Sequence, residues 1–187
     1  MKQLINNERV LAQATQVLRD GGIIAYPTEG VFGLGCDPFN ATAVLRLLKL
    51  KHRNTDKGVI LLASSWRQVA KLIKINKRDR MLINTISHPV TWICPATTKV
   101  PRWICGKFPS VAIRVTLHPL AQRICDQFGG SIVSTSANLE GDAPAKSAQE
   151  LTQQLVWGID FVVSGEVGHL QKPTEIRQVK TNTIIRA

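Results

Sequence analysis

The sequence predicts an α/β fold in a single domain spanning residues 1–187. Two observations carry that expectation. Segments with apolar residues at helical spacing alternate along the chain with short β-branched runs, and Gly, Pro, Asn and Ser mark the connections between them. The 187 residues are also enough for one sizeable core without disulfides or a structural metal.

Asn6 or Asn7 can cap a first helix that lines up Val10, Leu11, Ala14, Val17 and Leu18, and Gly21-Gly22 ends it. Ile23 to Tyr26 reads as a buried strand. It runs into a segment through Pro38 that reads as a loop: Pro27 biases Tyr26 toward extended geometry, and Gly30, Gly33 and Gly35 allow positive φ or close approach to a ligand. A second helix, from about Asn40 to Leu50, carries Val44, Leu45, Leu47 and Leu48. After a basic loop, Val59 to Leu62 is strand-like. Ser64 or Ser65 opens a third helix through Trp66, Val69, Leu72 and Ile73, and Asn76 opens a fourth.

The middle of the chain is richer in strands, with Val90 to Cys94 and Val111 to Val115 joined by a Pro- and Thr-containing connection. His118-Pro119 starts a helix that places Leu120, Ile124 and Phe128 on one face, and Gly129-Gly130 stops it. Ser131 to Ser134 is again a strand, running into the polar loop Thr135-Ser-Ala-Asn138. The capping box Ser147-x-x-Glu150 begins a helix through about Leu155, and Ile159 to Val163 and Thr183 to Arg186 read as closing strands. Trp-Ile-Cys occurs twice, at 92–94 and 103–105, and both copies read as core.

Composition narrows the function classes. There is no long apolar run for a membrane span and no charged-then-apolar leader, so the chain reads as soluble, unexported and cytoplasmic. Cys36, Cys94, Cys105 and Cys125 are widely spaced, as are the four histidines, which argues against a zinc site or a disulfide framework and for reduced core thiols. The 24 Lys and Arg against 13 Asp and Glu, a net +11, favour polyanionic ligands such as nucleotide phosphates or RNA. A solvated basic face would give the same count. Position says more, because Arg46, Lys49, Lys51, His52, Arg53 and Lys57 cluster at one helix end, with a second run at Lys71, Lys74, Lys77, Arg78 and Arg80.

Three polar constellations follow strands or helices: Tyr26-Pro-Thr-Glu29, Lys51-His-Arg53 and Ser134-Thr-Ser-Ala-Asn138. Lysine and arginine one residue apart in a non-helical segment can both reach a polyphosphate, one as a point charge and one as a planar fork. Ser136 and Asn138 add neutral groups suited to an oxyanion. Each set alone is equally readable as a turn or a solvated helix end.

Together these motifs resemble the YrdC-like family, in its single-domain bacterial branch of threonylcarbamoyl-AMP synthases. The resemblance rests on Tyr26-Pro-Thr-Glu29 with Gly33-Leu-Gly35, Lys51-x-Arg53 with Lys57-Gly-Val-Ile-Leu61, Val111-Ala-Ile-Arg-Val115 with His118-Pro119, and Ser134-Thr-Ser-Ala-Asn138 with Gly141. It continues through Pro173-Thr-Glu-Ile-Arg177 to Arg186. It implies an α/β sandwich around a twisted mixed sheet with a deep basic cavity, and a nucleotidyltransferase that condenses L-threonine, bicarbonate and ATP to L-threonylcarbamoyladenylate, feeding threonylcarbamoyladenosine formation in tRNAs that read codons beginning with A. By the same resemblance Lys51, Arg53, Ser136 and Asn138 carry the catalytic contacts. Thr28, Arg114, Ser134, Tyr26 and Arg186 bind substrate. No metal site is built from protein side chains; Mg2+ is expected on the phosphates, with Glu29 as a partner for its water. TsaD, TsaB and TsaE type proteins are the implied downstream partners.

The chain departs from the family pattern at Asn54, Gly30, Ser87-His88 and Glu140, which bears on loop rigidity. Two other readings stand beside this one. An RNA-binding module could use the same basic cavity without adenylate chemistry, although few aromatic residues are available for stacking. The related carbamoyl-adenylate module of hydrogenase-maturation enzymes carries zinc fingers and extra domains.

Overall fold

The computed structural model describes residues 2–139, 142–154, 158–171 and 173–187, the side chains of residues 2–7 and 154 excepted. In chain order its elements are α1 (Lys2–Arg19), β1 (Ile24–Pro27), β2 (Phe32–Gly35), α2 (Ala41–Leu50), β3 (Ile60–Ala63), α3 (Trp66–Val69), α4 (Lys77–Asn84), β4 (Val90–Pro95), α5 (Arg102–Cys105), β5 (Ser110–Val115), α6 (Pro119–Phe128), β6 (Ile132–Ser136), α7 (Ala148–Gln154), β7 (Phe161–Val162), β8 (Glu175–Gln178) and β9 (Ile184–Arg186). The strands form one open mixed sheet in the order β7-β1-β2-β6-β3-β5-β4-β8-β9. β1 pairs antiparallel with β2, β2 with β6, and β6 with β3, whereas β3 and β5 run parallel.

Strand alternation sends successive residues to opposite faces. Ile24, Tyr26, Leu62 and Ile132 pack beneath α1 and α6 with Leu11, Leu18 and Ile124. Their neighbours Ile23, Ala25, Leu61 and Val133 join the larger cluster on the other face, with Val44, Leu47 and Leu48 of α2. Helices therefore cover both faces, which is the α/β sandwich the resemblance implied.

Most of the helix starts follow their capping residues. Asn40 accepts from the Ala43 N–H at 3.1 Å, and Asn76 and Asp79 form a reciprocal capping box. His118 caps α6 with Pro119 in its first turn, and Gly129 ends that helix at φ 90°. Ser147 accepts from the Glu150 N–H at 3.1 Å, but Glu150 turns back to the Lys146 N–H instead of that of Ser147.

Several expectations are corrected. α1 already runs from Lys2, so Asn6 and Asn7 lie within it and do not cap it. The third helix stops at Val69; Leu72 and Ile73 belong to the following segment, where Ile73 bridges to Ala96. The segment after Pro27 is not one loop, because Phe32–Gly35 is a strand hairpinned onto β1. Two elements went unread, the short helix α5 and the strand β8. Leu155, the expected end of the last helix, lies outside the described residues. Both Trp-Ile-Cys copies do contribute to the core, and Trp103 donates its indole N–H to the Pro38 carbonyl.

The four cysteines are free and buried. Burial pushes the Cys36, Cys94 and Cys125 thiols up to about 12, so they stay protonated and unreactive at neutral pH. Among the described residues no helix is long and apolar enough to cross a membrane.

The glycines of β2 are explained by Tyr26. Tyr26 is fully buried and sits opposite Gly33, with Gly35 one pleat away. A Cβ on Gly35 would stand 2.7 Å from the Val133 carbonyl oxygen and 2.9 Å from Tyr26 Cε1. Gly35→Ala should therefore lower the unfolding free energy by about 1–3 kcal/mol, as overpacking does, read as a shifted urea midpoint at constant slope. Asp79→Ala removes the capping box and the partner of Lys180 at once. A loss of about 1–3 kcal/mol is expected in the same measurement.

Candidate functional site

The hairpin between β1 and β2 turns over Thr28 to Val31. Both the N–H and the hydroxyl of Thr28 donate to the Val31 carbonyl, at 3.0 and 2.8 Å. A strap leading from β7 to β8 closes over this turn, with Gly168 N–H on the Thr28 carbonyl and Leu170 N–H on the Glu29 carbonyl. That strap accounts for Gly30: a Cβ there would lie 2.4 Å from the Leu170 oxygen. Tyr26 reaches beneath the hairpin and donates its hydroxyl to Ser134 Oγ at 2.9 Å. Burial holds its phenol far above the ordinary range, so it stays a neutral donor.

Lys51 caps the C-terminus of α2, and its ammonium donates to the Ser136 carbonyl (2.8 Å), the Asn138 carbonyl, and Asn138 Oδ1 (2.8 Å). Asn138 in turn receives the Ser136 hydroxyl at 2.7 Å and donates its amide to the Leu139 and Asp142 carbonyls. The turn after β6 is thus built around one buried cation. His52 lies in the left-handed region at φ 50°, between the inward-facing Lys51 and Arg53, whose guanidinium donates to the Gly58 carbonyl at 2.8 Å. Asn54 caps the short turn over 55–57 by accepting from the Asp56 N–H. This is a service that a proline, lacking a side-chain acceptor, could not give.

Arg114 of β5 is buried, with Nε on Thr91 Oγ1 at 2.9 Å and Nη1 4.0 Å from Glu29 Oε2. Burial pushes its pKa down, and the Glu29 charge pulls it back up. Arg186 of β9 donates to the Thr174 carbonyl at 2.7 Å.

These elements enclose a cavity of about 340 Å³. Six of the nine expected catalytic and substrate-binding residues line it: Thr28, Arg53, Arg114, Ser134, Ser136 and Arg186. Lys51, Asn138 and Tyr26 stand behind its wall, organising Ser136 and Ser134. Glu29 is also outside the lining. Its carboxylate is turned into the protein, toward Thr116 and Leu117, and is not placed to hold a metal-bound water in the cavity. Sequence reasoning missed Lys146 and Gln171, and it named Thr174 within the motif 173–177 without a role in the site. Lys146 sits four residues before Glu150 in a loop with no motif of its own, and no spacing signal would have found it.

Arg53, Arg114, Lys146 and Arg186 bring four cationic side chains to one concave space, with no Asp or Glu among its described lining residues. Such a surface holds anions, and its neutral Ser and Thr hydroxyls can orient them. No group of three or more His, Cys, Asp or Glu among the described residues could hold a metal.

A family model for Sua5/YciO/YrdC, described as "Telomere recombination", matches residues 16–187. A threonylcarbamoyl-AMP synthase from Coxiella burnetii is 46% identical over 177 residues, 92% of this chain and 94% of the relative. One from Vibrio campbellii is 43% identical over 178 residues, 93% of this chain and 96% of its own length. Among solved structures, P. abyssi Sua5 complexed with L-threonine superposes with a TM-score of 0.85 at 27% identity, covering 93% of this chain and 52% of that one. The chain thus spans about half the length of that Sua5 protein. On the strength of the family model and of relatives matched over nearly their whole length, the chain belongs to the Sua5/YciO/YrdC family.

Proposed function

We propose that the chain, acting as a single domain, is an L-threonylcarbamoyladenylate synthase, a nucleotidyltransferase that condenses L-threonine, bicarbonate and ATP with release of pyrophosphate. The observation that carries this reading is the cavity in which Arg53, Arg114, Lys146 and Arg186 converge around Ser134, Ser136 and Thr28. The names of the close relatives and the threonine-bound Sua5 relative support it. An RNA-binding module without adenylate chemistry is not favoured by those relatives.

The chemistry asks little covalent work of the protein. The threonine amine and bicarbonate give a carbamate with loss of water; a carbamate oxygen attacks the α-phosphorus, and the bond to pyrophosphate breaks. Positioning two anions and stabilising the charge on the leaving group is sufficient. Arg53 and Ser136 contact the phosphates from the cavity wall. Lys51 adds its charge from behind and, through Asn138, sets the direction of the Ser136 hydroxyl. Arg114 and Thr28 take threonine, Ser134 is held for it by Tyr26, and Arg186 closes the phosphate side. Mg2+ would be held by the nucleotide's phosphates, with no carboxylate among the described lining residues to share it, and would supply further charge neutralisation there. The product is a reactive mixed anhydride that must be passed on quickly. TsaD, TsaB and TsaE type proteins acting on tRNA in the cytoplasm are the consumers this reading implies.

Purified protein given ATP, bicarbonate and threonine should release pyrophosphate only when threonine is present; release independent of threonine, or none, rejects the reading. Arg53→Ala should lower kcat/KM by about 10²- to 10³-fold, with a stability loss of about 1 kcal/mol from the lost bond to the Gly58 carbonyl. Lys51→Met should lose activity and stability together, because it leaves the Ser136 and Asn138 acceptors unpaired. A site that hydrogen-bonds the threonine hydroxyl should reject valine by about 10⁴-fold or more, but serine, short only of a methyl, by roughly 10- to 200-fold. Competition assays of pyrophosphate release with the three amino acids read those ratios directly.

A further inference from the structure

A second hollow, of about 190 Å³, lies where α3, α4 and the segment joining them meet, and it shares no lining residue with the cavity. Its walls are Trp66, Ala70, Ile73, Ile75 and Ile83, and its two polar members, Arg80 and Asn84, are exposed residues one turn apart on α4. The joining segment is fastened to the end of β4. The Lys74 N–H donates to the Pro95 carbonyl at 2.8 Å, the Thr97 N–H to the Leu72 carbonyl at 2.9 Å, and the Thr97 hydroxyl to the Lys71 carbonyl at 2.9 Å. The Asn76–Asp79 capping box fixes the start of α4. The hollow is therefore preformed, which lowers the ordering cost of filling it.

Charge around it is one-sided. Lys71, Lys74, Lys77 and Arg78 are exposed on the same stretch of chain, and Asp79 is the single acidic residue between Asp56 and Asp126. Asp79 is itself buried and paired with Lys180. Carboxylates on neighbouring elements are engaged as well, Asp126 of α6 by Ser64 and Gln68, and Glu175 of β8 by Arg177.

Size and charge together select the occupant. The volume is below the roughly 300–1,000 Å³ of small-molecule sites and suits one large side chain. A nucleic acid would satisfy the cations but leave the isoleucines unused, and Trp66 alone gives no run of stacking platforms. A second copy of this chain, itself at net +11, is repelled. An acidic polypeptide with an apolar residue in its middle satisfies both the walls and the rim.

We propose that this hollow is a docking site for a partner protein, taken by an acidic segment that inserts one large apolar side chain among Trp66, Ile73 and Ile83 while its carboxylates meet Arg80 and the lysines of the joining segment. Docking there leaves the cavity open, so it is independent of substrate binding.

The test uses a panel of short fluorescein-labelled peptides in which Asp and Glu flank one central position, occupied in turn by Ala, Lys, Leu, Met, Phe and Trp, with fluorescence anisotropy as the readout. Peptides with a large apolar centre should bind about tenfold or more tighter than the Ala peptide. Their affinity should fall as salt is raised. Ala70→Trp fills the hollow and Arg80→Glu reverses its rim charge. Both positions are exposed, so the melting temperature should hold while binding falls by about tenfold or more in each variant. Should Ala70→Trp not fold, Asn84→Trp obstructs the hollow from its other wall. Saturating ATP should leave peptide binding unchanged. Absence of any preference for an apolar centre, binding that survives both substitutions, or displacement by ATP overturns the proposal. A single-stranded RNA oligonucleotide that displaces the peptides, and whose own binding falls equally in Ala70→Trp, assigns the surface to nucleic acid and overturns it too. So does a dimer in sedimentation that Ala70→Trp abolishes, which gives the hollow to a second copy.

Discussion

The site depends on one buried ammonium group. Lys51 is 5% exposed, and its Nζ is surrounded by the Ser136 carbonyl, the Asn138 carbonyl and Asn138 Oδ1. A cation taken out of water must be given acceptors, and here the end of β6 and the turn after it supply them. The cost of burying the charge is met only if the C-terminus of α2 and the turn after β6 hold their mutual position. The same turn passes on the constraint: Asn138 orients Ser136, and Ala137 pairs with Phe32 and Ala145, which brings the loop bearing Lys146 to the cavity.

A second layer of buried contacts does for the hairpin side of the cavity what Lys51 does for the side formed by β6. Tyr26 fills the space left by Gly33 and Gly35, and its hydroxyl fixes Ser134. Glu29 and Thr91 fix Arg114 from below. Three of the residues facing the cavity, Ser134, Ser136 and Arg114, are each held by a side chain behind it, Tyr26, Asn138 and Thr91. Placement of these groups is thereby obtained from strand residues held by buried partners.

Local signals were strong enough to read most helices and the central strands from sequence. Asn40, Asn76 and Gly129 act as their chemistry dictates, and the apolar runs at 60–63, 90–95 and 110–115 are strands. The hairpin strand β2 was hidden because Phe-Gly-Leu-Gly has low strand propensity, and its glycines are required by a ring contributed from the facing strand. β8, with Glu175 and Arg177, is polar and half-buried, and only pairing with β4 on one side and β9 on the other makes it a strand. Within the site, residue types were legible and directions were not. Lys51 and Arg53 are equivalent as a spacing, and the positive φ of His52 sends one into the wall and the other to the cavity. Lys146 and the strap residues enter through tertiary proximity alone.

The order of the sheet has a kinetic corollary. β1 pairs with β7 and β2 with β6, contacts separated by more than 100 positions in the chain, so the hairpin at the cavity's edge cannot find its sheet neighbours through local folding. Non-local pairing of this kind slows folding and ties it to late, cooperative assembly. The cavity wall draws on residues from Thr28 to Arg186, and so it has no counterpart in a partly folded chain. Any ligand that fills it therefore binds the native state alone and stabilises the whole molecule by mass action, by about 2.7 kcal/mol at a hundredfold excess over its dissociation constant. Substrate supply and protein lifetime become linked quantities.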